Sequence, residues 1–291
     1  MSLFVKFNLI LILVFAIALV PAAYLSDQLL QGNARTQIIQ HARIMMETAL
    51  ATRGYTNKQI KPLLAPRLAE EFLPQSVPAY SATEIFNNLR ESNPEYTYKE
   101  ATLNPTNPRD RTVDWEADVV NAFRANAKLT EVIGEREGPL GRSLYLARPI
   151  KITDQGCLSC HTTPEMAPAS VVKAYGTNNG YGWKLNETVG SQIVTVPMAV
   201  PIAMATKAFH TLMGTLVGVF GFILLFLNIL LWFVVIRPIK RLSSMADAVS
   251  TGNLDVPAVP VKGRDEVSIL AGSFNRMRIS LVKALKMLED E

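Results

Sequence analysis

The densest chemistry in this 291-residue chain lies in six consecutive residues, Gly156-Cys157-Leu158-Ser159-Cys160-His161. The chain has only two cysteines, and both are here. Two thiols three positions apart, followed at once by an imidazole, match the attachment pattern of a c-type haem. The thiols reach the two vinyl groups of one macrocycle, and the histidine meets the iron from one face. Three other readings use the same residues less completely. A structural zinc site wants four ligands, yet there is no second cysteine pair and the other histidines are His41 and His210, the latter at the edge of an apolar run. A thioredoxin-like pair wants a strand-loop-helix setting and leaves His161 unexplained. A plain disulfide leaves it unexplained too.

A haem iron bound by His161 has a second axial position, and what fills it sets redox potential and gas affinity. On an expected helix from Thr36 to Tyr55, His41, Met45 and Met46 are the candidate ligands. Met46, Ala49 or Leu50, and Arg53 share one helical face at spacings of three, four and seven. That ranks Met46 first, Met45 second and His41 third, although both methionines would also serve as core filling. The haem propionates need cations, because a partly buried carboxylate needs charge-assisted partners. Arg53, Lys99, Arg142 and Arg148 are the candidates, each of which could equally form an ordinary ion pair. Trp115 and Trp183 suit either a haem wall or a core. Asn186-Glu187-Thr188 matches a glycosylation acceptor by chance.

The elements that must hold these residues start from composition. Hydrophobic residues make up 49% and charged residues 19% of the chain, which implies membrane spans. The net charge of +4 forms no basic stripe, so nucleic-acid binding is not expected. Residues 7–25 and 211–236 are apolar runs of spanning length. The first exceeds a typical signal-peptide core of roughly 7–15 residues and reads as an uncleaved anchor. Lys6 precedes it, and Arg237, Lys240 and Arg241 follow the second run, so the positive-inside rule puts both chain ends in the cytoplasm. The expected layout is therefore residues 1–6 cytoplasmic, 7–25 a first span, 26–206 an outer (periplasmic) haem domain, 211–236 a second span and 237–291 a cytoplasmic segment, in a bacterial inner membrane. Attachment of haem to such a motif is completed on that outer side.

Within the outer domain, helices are expected over 82–90 and 115–125, and strands over 96–103, 143–152 and 190–200. This gives a mixed α+β fold of the PAS or Cache type between two transmembrane helices. Several stretches carry a family resemblance: Arg53-Gly54-Tyr55-Thr56, Val77-Pro78-Ala79-Tyr80, residues 98–108, Asp114-Trp115-Glu116-Ala117-Asp118, Leu144-Tyr145-Leu146-Ala147-Arg148-Pro149 and residues 175–183. Together with Cys157 to His161 they resemble a bacterial and cyanobacterial family of PAS-like, c-type haem-binding domains. The resemblance implies a sensor-like domain whose iron can be held by the motif histidine and a sulfur from the first helix. In one member that sulfur is a cysteine, which this chain lacks.

After Pro238, the apolar positions Ile239, Leu242, Ala246 and Val249 recur at helical spacing. Residues 252–257 interrupt them. Beyond Asp265-Glu266, the positions Val267, Leu270, Phe274, Met277, Leu281, Ala284 and Leu288 keep a heptad alternation, an all-α coiled-coil seam rather than a solitary amphipathic tail. The whole segment resembles a HAMP domain, a dimeric four-helix relay. That implies a homodimer and a separate cytoplasmic partner such as a kinase or cyclase. The functional expectation is a transmembrane haem c sensor of redox state or of a small gas. A membrane-anchored electron-transfer cytochrome is the alternative, and it leaves the HAMP segment idle. No acid-base pair or nucleophile constellation suggests an enzyme.

Overall fold

A computed structural model gives the fold and describes residues 1–68, 70–139, 141–253, 255–260 and 263–289. It divides into one unit of Asp27–Ala208 and another made of Met1–Ser26 with the segment from Phe209 onward. Leu254 and residues 261, 262, 290 and 291 of the expected HAMP segment lie outside the described residues, as does the side chain of Leu288.

The larger unit is built on a four-stranded antiparallel sheet of β1 (Thr97–Thr102), β2 (Val132–Gly138), β3 (Gly141–Lys151) and β4 (Thr188–Pro197), in the order β1-β4-β3-β2. Successive side chains alternate between the faces. On one face Tyr98, Leu144, Leu146, Val194 and Val196 meet Ile38, Ala42, Met46 and Ala49 of helix α1 (Leu3–Tyr55), together with Ala82 and Phe86 of α3 (Pro78–Ser92). Alanines at 42 and 49 let the helix lie close on the strands. Each fully buried Leu, Val or Phe here contributes roughly 1.5–3 kcal/mol. On the other face Ala101, Ala147 and Ile193 pack against Val119 and Phe123 of α4 (Asp114–Ala125). Glu116 closes the start of α4 by accepting from the Val113 amide at 2.9 Å.

Helix α1 does not stop at Tyr55. It passes through a π-helical turn, Thr56–Ile60, into the short α2 (Lys61–Leu64). Two sets of ion pairs tie α1 to the sheet edge: Arg35 and Arg142 on Glu135, and Arg43 and Arg148 on Glu131, with Arg148 also on Glu47 at 2.6 Å. The expected strands and helices are present with shifted ends, and β2 is an addition. Its Glu135-Arg136-Glu137 run hides the strand pattern, because charges suit an edge strand that must not recruit a further partner. The residues expected as a haem loop instead form α5 (Gln155–His161), which is followed by α6 (Ala169–Tyr175).

The helical stretches Leu3–Leu64 and Ala199–Ser250, each of which belongs partly to the other unit, carry segments long and apolar enough to cross a membrane. Asn8 and Asn228 exchange side-chain hydrogen bonds of 2.7 and 2.8 Å, and Phe15 stacks on Phe220. Helix α7 (Ala199–Leu230) continues through a π-helical turn, Leu231–Ile236, into α8 (Arg237–Ser250). Leu242 and Val249 of α8 pack with Ala271 and Phe274 of α9 (Glu266–Glu289). Asn275 pins the connector by bonding both the amide and the carbonyl of Val259, at 3.0 and 2.8 Å. Leu270, Met277 and Leu281 remain exposed on α9.

Candidate functional site

Asp154 starts α5 by accepting from the Gly156 amide at 2.8 Å. One helical turn then places Cys157, Cys160 and His161 at i, i+3 and i+4, on a common face. All three line a cavity of about 610 Å³. Its walls include Leu68, Phe72, Val77, Ile150, Ile152 and Val171, so much of the lining is apolar.

His161 is held from three sides. Its Nδ1 lies 2.7 Å from the Gly180 carbonyl, with Thr106 Oγ1 at 3.4 Å, and its ring stacks on Trp183 at 3.9 Å between centroids and 10° between planes. A carbonyl only accepts, so Nδ1 carries the proton and Nε2 keeps its lone pair. Burial lowers the imidazole pKa against the opposing effect of the Gly180 bond, which keeps the ring neutral. Burial also raises the Cys157 thiol, reinforced by the Asp154 carboxylate. A redox-exchanging thiol pair needs the reverse shift, so the local electrostatics disfavour a thioredoxin-like role.

The backbone that orients His161 is itself clamped. Gly180 has φ +84, and a Cβ there would collide with Thr106, so the position requires glycine. Asn104, just past β1, accepts from the Gly180 amide and donates to the Tyr181 carbonyl, both at 3.3 Å. Gly182 and Trp183 donate back to the carbonyls of Thr162 and His161 at 2.9 and 3.1 Å. Asn104, Thr106 and Gly180 were not singled out from sequence. Their signal was the Asn-Pro-Thr-Asn-Pro turn run and the glycines at 176, 180 and 182.

Among the residues expected at the site, Cys157, Cys160, His161, Arg53 and Trp183 line the cavity. The Arg53 guanidinium pairs with Glu100, whose carboxylate also accepts from Tyr98 at 2.8 Å. Burial works against the Arg53 charge, but the Glu100 carboxylate outweighs it and raises the pKa. Met46, the first-ranked axial candidate, does not line the cavity. Met46 is fully buried in the core between α1 and the sheet, and Met45 packs against that same core. At 1.5 Å per residue Met46 stands roughly 10 Å along the helix from Arg53, the first α1 residue of the cavity wall. His41 is exposed further back still.

The other three expected propionate cations do not line the cavity, and each bonds glutamates from elsewhere in the chain. Lys99 bonds Glu116 at 2.6 Å and the Arg111 carbonyl at 2.8 Å. Arg142 bonds Glu135 at 2.6 Å, and Arg148 bonds Glu47 and Glu131. The cations that do line the cavity beside Arg53 are Lys61, Arg109 and Lys151. Trp115 lies with the α4 side of the sheet.

A sequence profile described as Tll0287-like matches residues 31–197, more than half of the chain and all of the segment that forms the cavity. The chain belongs to the Tll0287-like family. A HAMP domain profile matches residues 232–283, so the Tll0287-like domain is joined to a signalling module. Among solved structures, the cyanobacterial heme-protein Tll0287 is similar at 18% identity, covering 52% of this chain and 94% of that one, with a TM-score of 0.39. No curated protein matches.

Proposed function

We propose that the Tll0287-like domain carries one covalently attached haem c and that the chain is a transmembrane sensor of redox state or of a small gas. The observation that carries this reading is the placement of both thiols and the His161 imidazole on one helical face lining one cavity, with Nδ1 already engaged by Gly180. The lining fits the group. Cys157 and Cys160 would form thioethers with its vinyls, and His161 Nε2 would bind the iron. Lys61 and Lys151 would supply cations for two propionates, since Arg53 and Arg109 of the same wall are already paired with Glu100 and Glu84, while Leu68, Phe72, Val77, Ile150, Ile152 and Val171 match an apolar macrocycle. When bound, the haem supplies a one-electron centre and an iron able to take small ligands.

The chain's own residues do the rest. Gly180 holds the proton on His161 Nδ1, and an imidazole so bonded is a fixed and more basic ligand. Trp183 keeps the ring from rotating. Glu100 neutralises Arg53 beside the cavity. The two apolar helical stretches and the HAMP match support membrane anchoring. In this reading the protein is a two-pass protein of the bacterial inner membrane, spanning at 7–25 and 211–236, with both ends cytoplasmic and the haem domain outside. It would work as a homodimer and signal through HAMP to a separate cytoplasmic partner such as a kinase or cyclase.

Full-length protein made in a host competent for cytochrome maturation should keep its pigment on a denaturing gel, and the Cys157→Ala/Cys160→Ala double variant should not. A wild-type polypeptide that runs free of pigment would remove the proposal.

A further inference from the structure

Axial bonds to a haem iron come from imidazole, thioether or thiolate and, less often, from a tyrosine phenolate. The chain contains three histidines, two cysteines and ten methionines, and each has a place. His161, Cys157 and Cys160 belong to the attachment helix. Met45, Met46 and Met198 pack in or against the core, while His41, Met166 and Met204 are exposed and form no part of the cavity wall. His210 and the other methionines belong to the other unit. Beyond the attachment helix, the described cavity wall therefore offers no sulfur or imidazole.

What remains bonds iron poorly. Tyr175 has its phenol pushed up by burial, away from the phenolate that binds iron, and the Tyr80 ring lies under the Arg109 guanidinium, 5.3 Å from its centroid. Asp110 faces Arg109 at 3.8 Å. Lys61 and Lys151 carry ammonium groups, which hold no lone pair. On the helix that continues from α1, the wall consists of Arg53, Gly54, Asn57 and Lys61. Arg53 is occupied by Glu100. Gly54 has no side chain, and a Cβ built there meets nothing within 4 Å. Asn57 has an amide with no hydrogen-bond partner among the described residues, able to donate to a bound ligand but not to replace it. The π-helical turn at Thr56–Ile60 explains why these residues share a wall. A turn closed by i→i+5 bonds advances around the axis more slowly than an α-helix of 3.6 residues per turn, so Asn57 and Lys61 stay on the side where Arg53 began.

We infer that no sulfur or second imidazole of this chain fills the other axial position of the haem, which is instead a binding site for a small diatomic gas beside Gly54 and Asn57. The inference rests on the proposed haem and narrows the proposed stimulus to a gas.

The test uses full-length protein in detergent, with covalent pigment verified first on a denaturing gel, so that loss of the haem reading is scored separately. Carbon monoxide added to the reduced protein should give a saturable shift of the Soret band. Gly54→Met, built into open space, should install a competing thioether and weaken carbon monoxide binding by about tenfold if the sulfur holds the iron nine-tenths of the time. Asn57→Met is the second such variant, and Met46→Leu should leave the binding curve unchanged. A pigmented, low-spin reduced protein whose spectrum ignores carbon monoxide would overturn the inference. So would carbon monoxide binding that changes with Met46→Leu and not with either installed methionine.

Discussion

At the level of single residues, the grouping of Cys157, Cys160 and His161 at the proposed attachment site was readable because its geometry is local. Spacings of three and four within one helical turn fix Cys157, Cys160 and His161 together whatever surrounds them. The second ligand was not readable in the same way. Helical periodicity correctly put Met46, Ala49 and Arg53 on one face, but it could not say over which part of the sheet each would stand. Packing decides that, and it places Met46 over Leu144, Leu146 and Val194 while Arg53 reaches Glu100. The ion pairs of Lys99, Arg142 and Arg148 were hidden for a related reason, since Glu116, Glu131 and Glu135 come from segments whose pairing the sequence pattern does not reveal. Gly180→Ala should strain a left-handed backbone by about 1–2 kcal/mol and displace the carbonyl that bonds His161. Calorimetry of the pigmented protein should show a lower Tm together with an altered haem spectrum, and a variant with both unchanged would contradict the role given to Gly180. Asp110 gives a pH test. Burial raises its carboxyl from an ordinary 3.8 to about 6, with Arg109 opposing and Glu100 reinforcing. A raised carboxyl contributes most below its unfolded pKa, and that contribution is lost as pH rises through about 6. Wild type should therefore lose stability relative to Asp110→Asn between roughly pH 4 and 6.5, measured by denaturant titration. A pH-independent difference would refute the assignment.

At the level of elements, β1 followed from alternation, β3 and β4 from β-branched residues, and the fold class from the order of elements. β1, β3 and β4 pack under α1 and α3 on one face and against α4 on the other, so β4 is buried over six consecutive residues. β2 was obscured by Gly134 and its charges. Those charges have a purpose visible only in three dimensions, because Glu135 and the neighbouring Glu131 collect four arginines, two of them from α1. Burial is the largest single influence on the Glu131 carboxyl and raises it, but the hydrogen bonds and charges of Arg43 and Arg148 together leave its pKa lowered. The stability it contributes is present above the unfolded carboxylate pKa and is lost as pH falls through the lowered one. Each exposed pair is worth only about 0.2–1 kcal/mol, so Glu131→Gln should cost roughly 1 kcal/mol at pH 7 and less in high salt. Urea titration of the holoprotein at two salt concentrations measures this. A cost that is insensitive to salt would mean that Glu131 acts through packing instead.

At the level of the whole molecule, the layout of two apolar segments, a haem domain and a HAMP segment was legible because each part has its own period or motif. The chain connects them directly. Helix α1 begins in the first apolar segment and ends at the cavity wall, and β4 is followed almost at once by α7, which leads through the second π-helical turn into α8. A sensor working through these connections need only shift an equilibrium between two arrangements by a coupling free energy of about 1–3 kcal/mol. The reciprocal Asn8–Asn228 bonds are the polar contact between the apolar segments most suited to bias that equilibrium, since such a pair in a membrane contributes around 0.6 kcal/mol and up to about 1.7 kcal/mol. Replacing the exposed Met277 of α9 with cysteine gives a thiol free of haem chemistry, and a bis-maleimide then reads its spacing across the proposed homodimer in membranes. The cross-linked fraction should differ between reduced protein with and without carbon monoxide. Asn228→Leu should move the baseline fraction in both states while the haem spectrum stays the same. Equal cross-linking in both ligand states would leave the haem domain uncoupled from HAMP and favour the electron-transfer reading of the same cofactor.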